Sequence, residues 1–259
     1  MRKILMLVVA LVLGGSSVLP QNKKALTDSE LAAITARGRM LAEYDTASWH
    51  ATDAVMALKP AQGAVGRYIA RKTEAGWVVV FGRFNETKDA FLVVYEATQG
   101  RDSRQFAVKT YDPPQQVTGF FYIAAKAIEI SLQNTRLEKR PYNTYVLPSD
   151  AGQLYVYVLP AQTVADVYPL GGDVRYLVSA DGTNIIETRQ LHKSILEVKD
   201  SAPPGSKSAG GFHTHVLTDA PEDTDVFHVL RQKQPLPEAV GTKSAIYMVQ
   251  IDGTIRCVK

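Results

Sequence analysis

The sequence predicts an α+β protein: N-terminal helices packed with an antiparallel β-meander, then a mixed α/β domain built from hairpins. Three observations carry this. Thr27-Asp28-Ser29-Glu30 is a capping box, and it opens a run with helical apolar spacing. From Gly66 the apolar residues change to a period of two, broken at short intervals by turn residues. Near the C-terminus, Gly210-Gly211-Phe212-His213-Thr214-His215-Val216 reads as a strand with paired histidines, and a helix start follows it.

With 259 residues the chain can bury roughly 70–75% of its unfolded surface, enough for one large or two small domains. Residues 1–20 have a basic start, Arg2-Lys3, an apolar run from Ile4 to Leu13, and small residues at Gly14-Gly15-Ser16-Ser17. The run is short for a bilayer span, which reads as a cleaved secretory signal and a periplasmic or secreted protein without stable membrane insertion. Removing Arg2 and Lys3, with no acid beside them, takes the formal charge from +3 to +1. Nothing in the composition resembles a nucleic-acid footprint. A single cysteine, Cys257, excludes an internal disulfide framework and a cysteine-rich metal site, and it reads as a packed strand residue.

In chain order, the helix opened by the capping box runs through Leu31, Ile34, Met40 and Leu41 to about Tyr44. A second is expected from about Thr46 to Leu58, stopped by Pro60. His50, beside Trp49, reads as a packing or surface residue. Strands follow at residues 66–71, 76–84, 90–96 and 105–108, with turns at Glu74-Ala75-Gly76, Asn85 to Asp89 and Gln99 to Ser103: an antiparallel meander that completes a unit over residues 21–112. Asp112-Pro113-Pro114-Gln115-Gln116 breaks the pattern and marks a boundary, with a second unit over residues 117–259.

That unit opens with an apolar helix, Val117 to Gln133, whose Glu129 must find a polar side, and the basic run Arg136 to Arg140 solvates its end. Tyr142 to Leu147 and Gln153 to Leu159 form a hairpin about Ser149-Asp150-Ala151-Gly152. A linker over Pro160 to Gly172 leads to a second hairpin, Asp173 to Ser179 and Ile185 to Leu196. A flexible loop, Ser201 to Ser208, delivers the chain to the histidine strand. The last hairpin, Ala245 to Gln250 and Thr254 to Val258, turns at Asp252-Gly253.

Alternation places His213 and His215 on one face of their strand, as paired metal ligands are placed. After them Asp219 is a candidate N-cap, with Pro221 in the first helical turn and Glu222 at capping-box spacing. Glu222 and Asp225 then share a helical face. His228 lies one turn beyond Asp225 and suits a supporting or packing role. His192, between Leu191 and Lys193 in a strand, reads as structural.

A histidine-x-histidine strand, a short loop and a helix offering an aspartate in its first turn resemble the JAB/MPN metalloprotease family, whose pattern is His-x-His, a spacer, then Ser-x-x-Asp. Here His213-Thr214-His215 is followed by six residues and then by Glu222-Asp223-Thr224-Asp225. The closing hairpin also looks like the end of that family's domain, and the likeness covers at most Val117 to Lys259. It implies a zinc ion on His213, His215 and Asp225, with Asp223 as a fallback ligand if the helix begins later, and water in the fourth place. Such a site polarises a carbonyl and acidifies the water, and a glutamate takes its proton. Two departures stand against this. The family's oxyanion-stabilising serine is matched by Glu222, whose charge opposes an oxyanion. The general base is expected on an earlier strand, where Asn143 stands; Glu187, Glu197 and Glu222 itself are the alternatives.

Two functions follow from these expectations. One is an exported zinc hydrolase acting on an amide or isopeptide bond in a peptide or cell-wall crosslink. The other is a non-catalytic exported module that keeps the JAB-like shell to bind a protein partner, with the meander as its recognition surface.

Overall fold

The computed structural model describes residues 26–199 and 208–258. The leader expected over residues 1–20, and all but the last residue of the loop expected over 201–208, lie outside them. No helix among the described residues is long and apolar enough to cross a membrane.

Thr27 caps the first helix, α1 (Asp28–Met56). Its hydroxyl accepts the Glu30 amide at 3.3 Å, and the Glu30 carboxylate accepts the Thr27 amide at 2.8 Å. Where two helices were expected there is one, of 29 residues. The residues that could have capped a second are engaged elsewhere: the Thr46 hydroxyl donates back to the Ala42 carbonyl at 2.9 Å, and Asp45 accepts the Tyr145 hydroxyl at 2.7 Å.

The meander forms as its period predicts. Strands β1 (Arg67–Thr73), β2 (Gly76–Phe84), β3 (Phe91–Gln99) and β4 (Phe106–Val117) lie in that order, each pair antiparallel. The expected break at Asp112 to Gln116 is absorbed into β4. The register jumps between Val93 and Tyr95 opposite it, and β4 is an edge strand, so prolines lacking an N–H break no ladder there. Helix α2 (Phe120–Gln133) buries Ala124, Ala127 and Ile128 against Val156, Val158 and Tyr176, while Glu129 meets Lys88 at 2.8 Å.

A second antiparallel sheet holds β5 (Tyr142–Pro148), β6 (Leu154–Pro160), β8 (Val174–Val178) and β9 (Ile185–Gln190), in the order β5-β6-β8-β9. The expected linker over Pro160 to Gly172 contains a strand, β7 (Val167–Leu170), which pairs with β10 (Leu196–Lys199). The long strand expected over Ile185 to Leu196 is therefore two, and the chain leaves β9 at Leu191 before rejoining as β10. Gly171, at φ 87°, permits this: a β-carbon there would stand 2.2 Å from the Ser194 carbonyl oxygen.

The third sheet holds β11 (Gly211–Thr214), β12 (Glu238–Gly241), β13 (Ile246–Val249) and β14 (Ile255–Cys257) in sequence order. Its first pair is parallel, with α3 (Asp223–Arg231) as the crossover, and the last hairpin turns at Gly253 as expected. Cys257 is exposed, not packed.

One aromatic series crosses the expected boundary. Trp77, Tyr44, Tyr145 and Phe227 meet edge to face in succession, centroids 5.4–5.7 Å apart, from β2, α1, β5 and α3. Helix α1 also lies directly on α3 at Gly38, where a β-carbon would stand 2.4 Å from Val226 Cβ and 2.6 Å from the Asp223 carbonyl oxygen. The first turn of α3, which carries the acids of the site, is thereby fixed by the N-terminal helix.

Candidate metal centre

Three chain segments converge on one buried point. In β11 the alternation sends Phe212 outward, 65% exposed, and His213 inward. His215 lies just past the strand end, where its amide donates to the Gly241 carbonyl at 2.8 Å and keeps the β11 to β12 pairing one step longer. Helix α3 contributes Asp225. The third segment is the connection from β9 to β10, which turns His192 inward once the strand has ended. The three histidines are 5–8% exposed and Asp225 is fully buried.

Nε2 of His192 lies 2.8 Å from Nε2 of His215, which lies 3.1 Å from Nε2 of His213. Asp225 Oδ1 is 3.0 Å from His192, 3.1 Å from His213 and 3.4 Å from His215. The four ligand atoms lie within 4.8 Å of one another. A tetrahedron of ligands about 2.0–2.1 Å from a central ion has edges of about 3.3 Å, close to these separations.

The other nitrogen of each ring fixes which proton it carries. His215 Nδ1 meets the Ala220 carbonyl at 2.7 Å, and a carbonyl only accepts, so Nδ1 holds the hydrogen. His192 Nδ1 donates to Asp173 at 2.8 Å, and His213 Nδ1 to Glu238 at 2.7 Å. In neutral rings all three Nε2 atoms then present lone pairs to one another and to a carboxylate. Such an arrangement repels itself unless a cation stands among them, and histidines oriented by carboxylates and carbonyls are how metal ligands are held. The residues fit a metal ion.

The charges point the same way. Asp225, Asp173 and Glu238 bring three buried carboxylates to the cluster. Burial would lower the His192 imidazole, but Asp173 and Asp225 override it and raise its pKa to about 11; burial likewise opposes, and Asp225 and Glu238 raise, His213 to about 9. For Asp225, burial would raise the carboxyl, yet the three histidines hold it well below the ordinary range. The group retains positive charge, as protons or as a metal.

Three of these four residues, His213, His215 and Asp225, are the ones the sequence singled out. His192, expected to be structural and in a strand, is the fourth; the strand ends at Gln190, which frees the next residues to turn inward. Helix α3 starts three residues later than expected, capped through the Glu222 amide, which donates to Asp225 Oδ2 at 2.7 Å. Asp219 instead accepts from the amide and hydroxyl of Ser244, at 3.0 and 2.8 Å. Despite the later start, Asp223 does not belong to the four-residue group: it accepts from Arg37, Arg175 and Tyr157.

Of the proposed bases, Glu222 is buried beside the cluster and meets Arg189 at 2.7 Å, and burial raises its carboxyl pKa against that arginine. Glu187 is exposed on β9. Glu197 is exposed on β10 and pairs with Arg140 at 2.8 Å. His228 is buried 3.6 Å from Glu238, and burial lowers its pKa. His50 stacks on Trp49, centroids 5.2 Å apart. Beyond His192, the sequence reading missed Asp173 and Glu238. The one available signal was the Glu238-Ala239-Val240-Gly241 run, a short strand ahead of the last hairpin.

Fold and centre together define an α+β protein with a buried three-histidine, one-aspartate group that can hold a metal ion. Compared with known protein families, curated proteins and solved structures, the chain matches none.

Proposed function

We propose that this chain is an exported, non-catalytic binding module whose C-terminal part is clamped by a zinc ion on His192, His213, His215 and Asp225. One observation carries the reading: the fourth position, which a hydrolase keeps for water, is filled by His192. Four protein ligands of nitrogen and oxygen, nearly closed to solvent, suit a structural zinc site rather than an open catalytic one. A bound divalent ion supplies the charge that the three surrounding carboxylates require. The chain's own contribution is to tie β11, α3 and the β9 to β10 connection to one point. Export rests on the basic and apolar pattern of residues 1–20. The JAB-like reading draws on the His213-x-His215 and Asp225 spacing, and on α3 crossing between parallel β11 and β12.

The test is metal content of the purified mature protein with zinc X-ray absorption. The expected result is one zinc per chain with four nitrogen or oxygen ligands from protein, lost in His213→Ala/His215→Ala. Absence of metal after zinc addition sinks the proposal.

The hydrolase reading keeps one specific support, the buried carboxyl of Glu222 beside the cluster, with its proton affinity raised. In that reading His192 yields its place and Glu222 takes the proton from an attacking water. Zinc-loaded protein would then cleave peptide or isopeptide substrates, and Glu222→Gln would abolish the cleavage while keeping the metal. A closed four-ligand shell with no turnover excludes it.

A further inference from the structure

A cavity of about 940 Å³, lined by none of the four residues of the metal centre, opens between α1, the first two meander strands, β5 and the connection over residues 161–166. Its size suits a small ligand. We propose that it binds a free carboxylate carried next to an apolar side chain and an amide, the chemistry shared by N-acyl amino acids and the C-terminal end of a peptide. This goes beyond the metal reading and does not require it.

The carboxylate end is argued from Arg231 and Lys233. The guanidinium of Arg231 lies over two rings, 5.1 Å from the Phe227 centroid and 5.6 Å from that of Tyr168. These ring contacts engage the guanidinium without using its N–H groups, which remain for a two-pronged contact with a carboxylate. Its hydrogen bond among the described residues is a long one, 3.4 Å to Gln162, and no acid pairs with it there. Lys233 stands exposed on the same wall, likewise without an acid partner among the described residues. The acids lining the cavity are Asp45, engaged by the Tyr145 hydroxyl at 2.7 Å, and Asp166, exposed on the rim.

The apolar part follows from the rims. Trp49 is 63% exposed and Val164 59% exposed, two large side chains left facing the opening, with Tyr68 and Phe81 behind them. The amide is argued from Ser48 and Asn143. Ser48 is 5% exposed and its hydroxyl has no hydrogen-bond partner among the described residues, a cost that a ligand's polar group would relieve. Among the described residues the Asn143 side-chain amide has one long hydrogen bond, 3.4 Å to the Tyr145 hydroxyl.

The experiment is calorimetric titration of the full mature chain with hippurate, with hippuramide as its neutral match, and with an N-acetyl tripeptide ending in phenylalanine, free or amidated. Emission from Trp49 is followed in parallel. We expect saturable binding of the free carboxylates, at least tenfold weaker binding of the amides, and a shift in emission that Trp49→Phe removes. Hippurate and the tripeptide binding alike assigns the site to small acids; tighter binding of the tripeptide assigns it to peptide termini. Arg231→Lys, which keeps charge but not the fork, should weaken binding at least tenfold, and the exposed Lys233→Gln about threefold. Absence of binding by either acid at millimolar concentration overturns the proposal, as does binding unchanged in both variants. Zinc content is measured on the same samples, so failure of this site is distinguished from failure of the metal centre.

Discussion

Asp223 and Asp225 stand two residues apart in the first turn of α3, both fully buried, and their charges are met in opposite ways. Asp223 accepts from Arg37 at 2.9 Å, Arg175 at 2.6 Å and the Tyr157 hydroxyl at 2.7 Å. Burial pulls the Arg175 pKa down, and Asp223 beside it more than restores it, so this compensation persists at any working pH. Asp225 meets three imidazoles, whose positive charge, unlike that of a guanidinium, exists only while a proton or a metal ion is bound. Its countercharge must be taken up from solution, as protons or as a metal ion. A carboxylate facing arginines is a fixed part of the fold, and one facing histidines is a site. Both acids fit the expected ligand position in the sequence; only the partners brought by distant segments separate them.

The largest test of that contrast is Asp223→Ala. It leaves two guanidinium groups and a buried tyrosine unmatched, and should cost roughly 3–5 kcal/mol whether or not zinc is present. Unfolding in denaturant with and without chelator checks this; a loss that zinc rescues would place Asp223 in the metal centre instead. Next in size is removal of the metal itself. With free zinc at a hundred times its dissociation constant, chelation should cost about 2.7 kcal/mol, roughly 5–10 °C in melting temperature for a domain of this size. In Asp225→Ala the chelator should change nothing.

The pH response should have opposite signs in the two forms. Without metal, the His213 and His192 pKa values are raised from 6.5 to about 9 and about 11. Their contribution is therefore complete below about pH 6.5 and is lost as pH rises through 9 toward 11. With metal, binding displaces those protons, so affinity grows as pH rises. Melting between pH 7 and 9.5 should thus fall in chelator and hold or rise in excess zinc. Parallel curves would mean that the cluster binds neither protons nor zinc as described.

How legible these features are in the sequence depends on the range over which each is determined. The capping box at Thr27 and Glu30, the first three strands of the meander, the hairpin at Gly253 and the alternation of Phe212 and His213 are local, and each forms where its pattern says. His192 was not legible because its local pattern is that of a strand. What turns it inward is Gly171, more than twenty residues earlier, closing on the Ser194 carbonyl so that β10 pairs with β7. Asp173 and Glu238 are single acids whose role exists only once β8 and β12 are in place. The second N-terminal helix failed for a similar reason, since Tyr145, a hundred residues on, takes the Asp45 carboxylate that could have capped it.

These two acids supply the finest test of the comparison. Asp173 and Glu238 lie outside the four-residue group, yet each accepts the Nδ1 hydrogen of one of its histidines and so aims that ring's Nε2. Asp173→Asn and Glu238→Gln keep an acceptor oxygen but remove the charge, and each should weaken zinc binding about 10–100-fold in competition with a chromophoric chelator. Asp45→Asn, which alters a buried tyrosine partner away from the centre, should leave affinity unchanged. Glu238 carries the sharper outcome, because His228 lies 3.6 Å from its other oxygen with neither ring nitrogen hydrogen-bonded among the described residues. If Glu238→Gln keeps full affinity while His228→Ala lowers it, the support of His213 runs through the histidine. If Glu238→Gln alone weakens binding, the carboxylate orients the ligand directly, as the 2.7 Å contact implies.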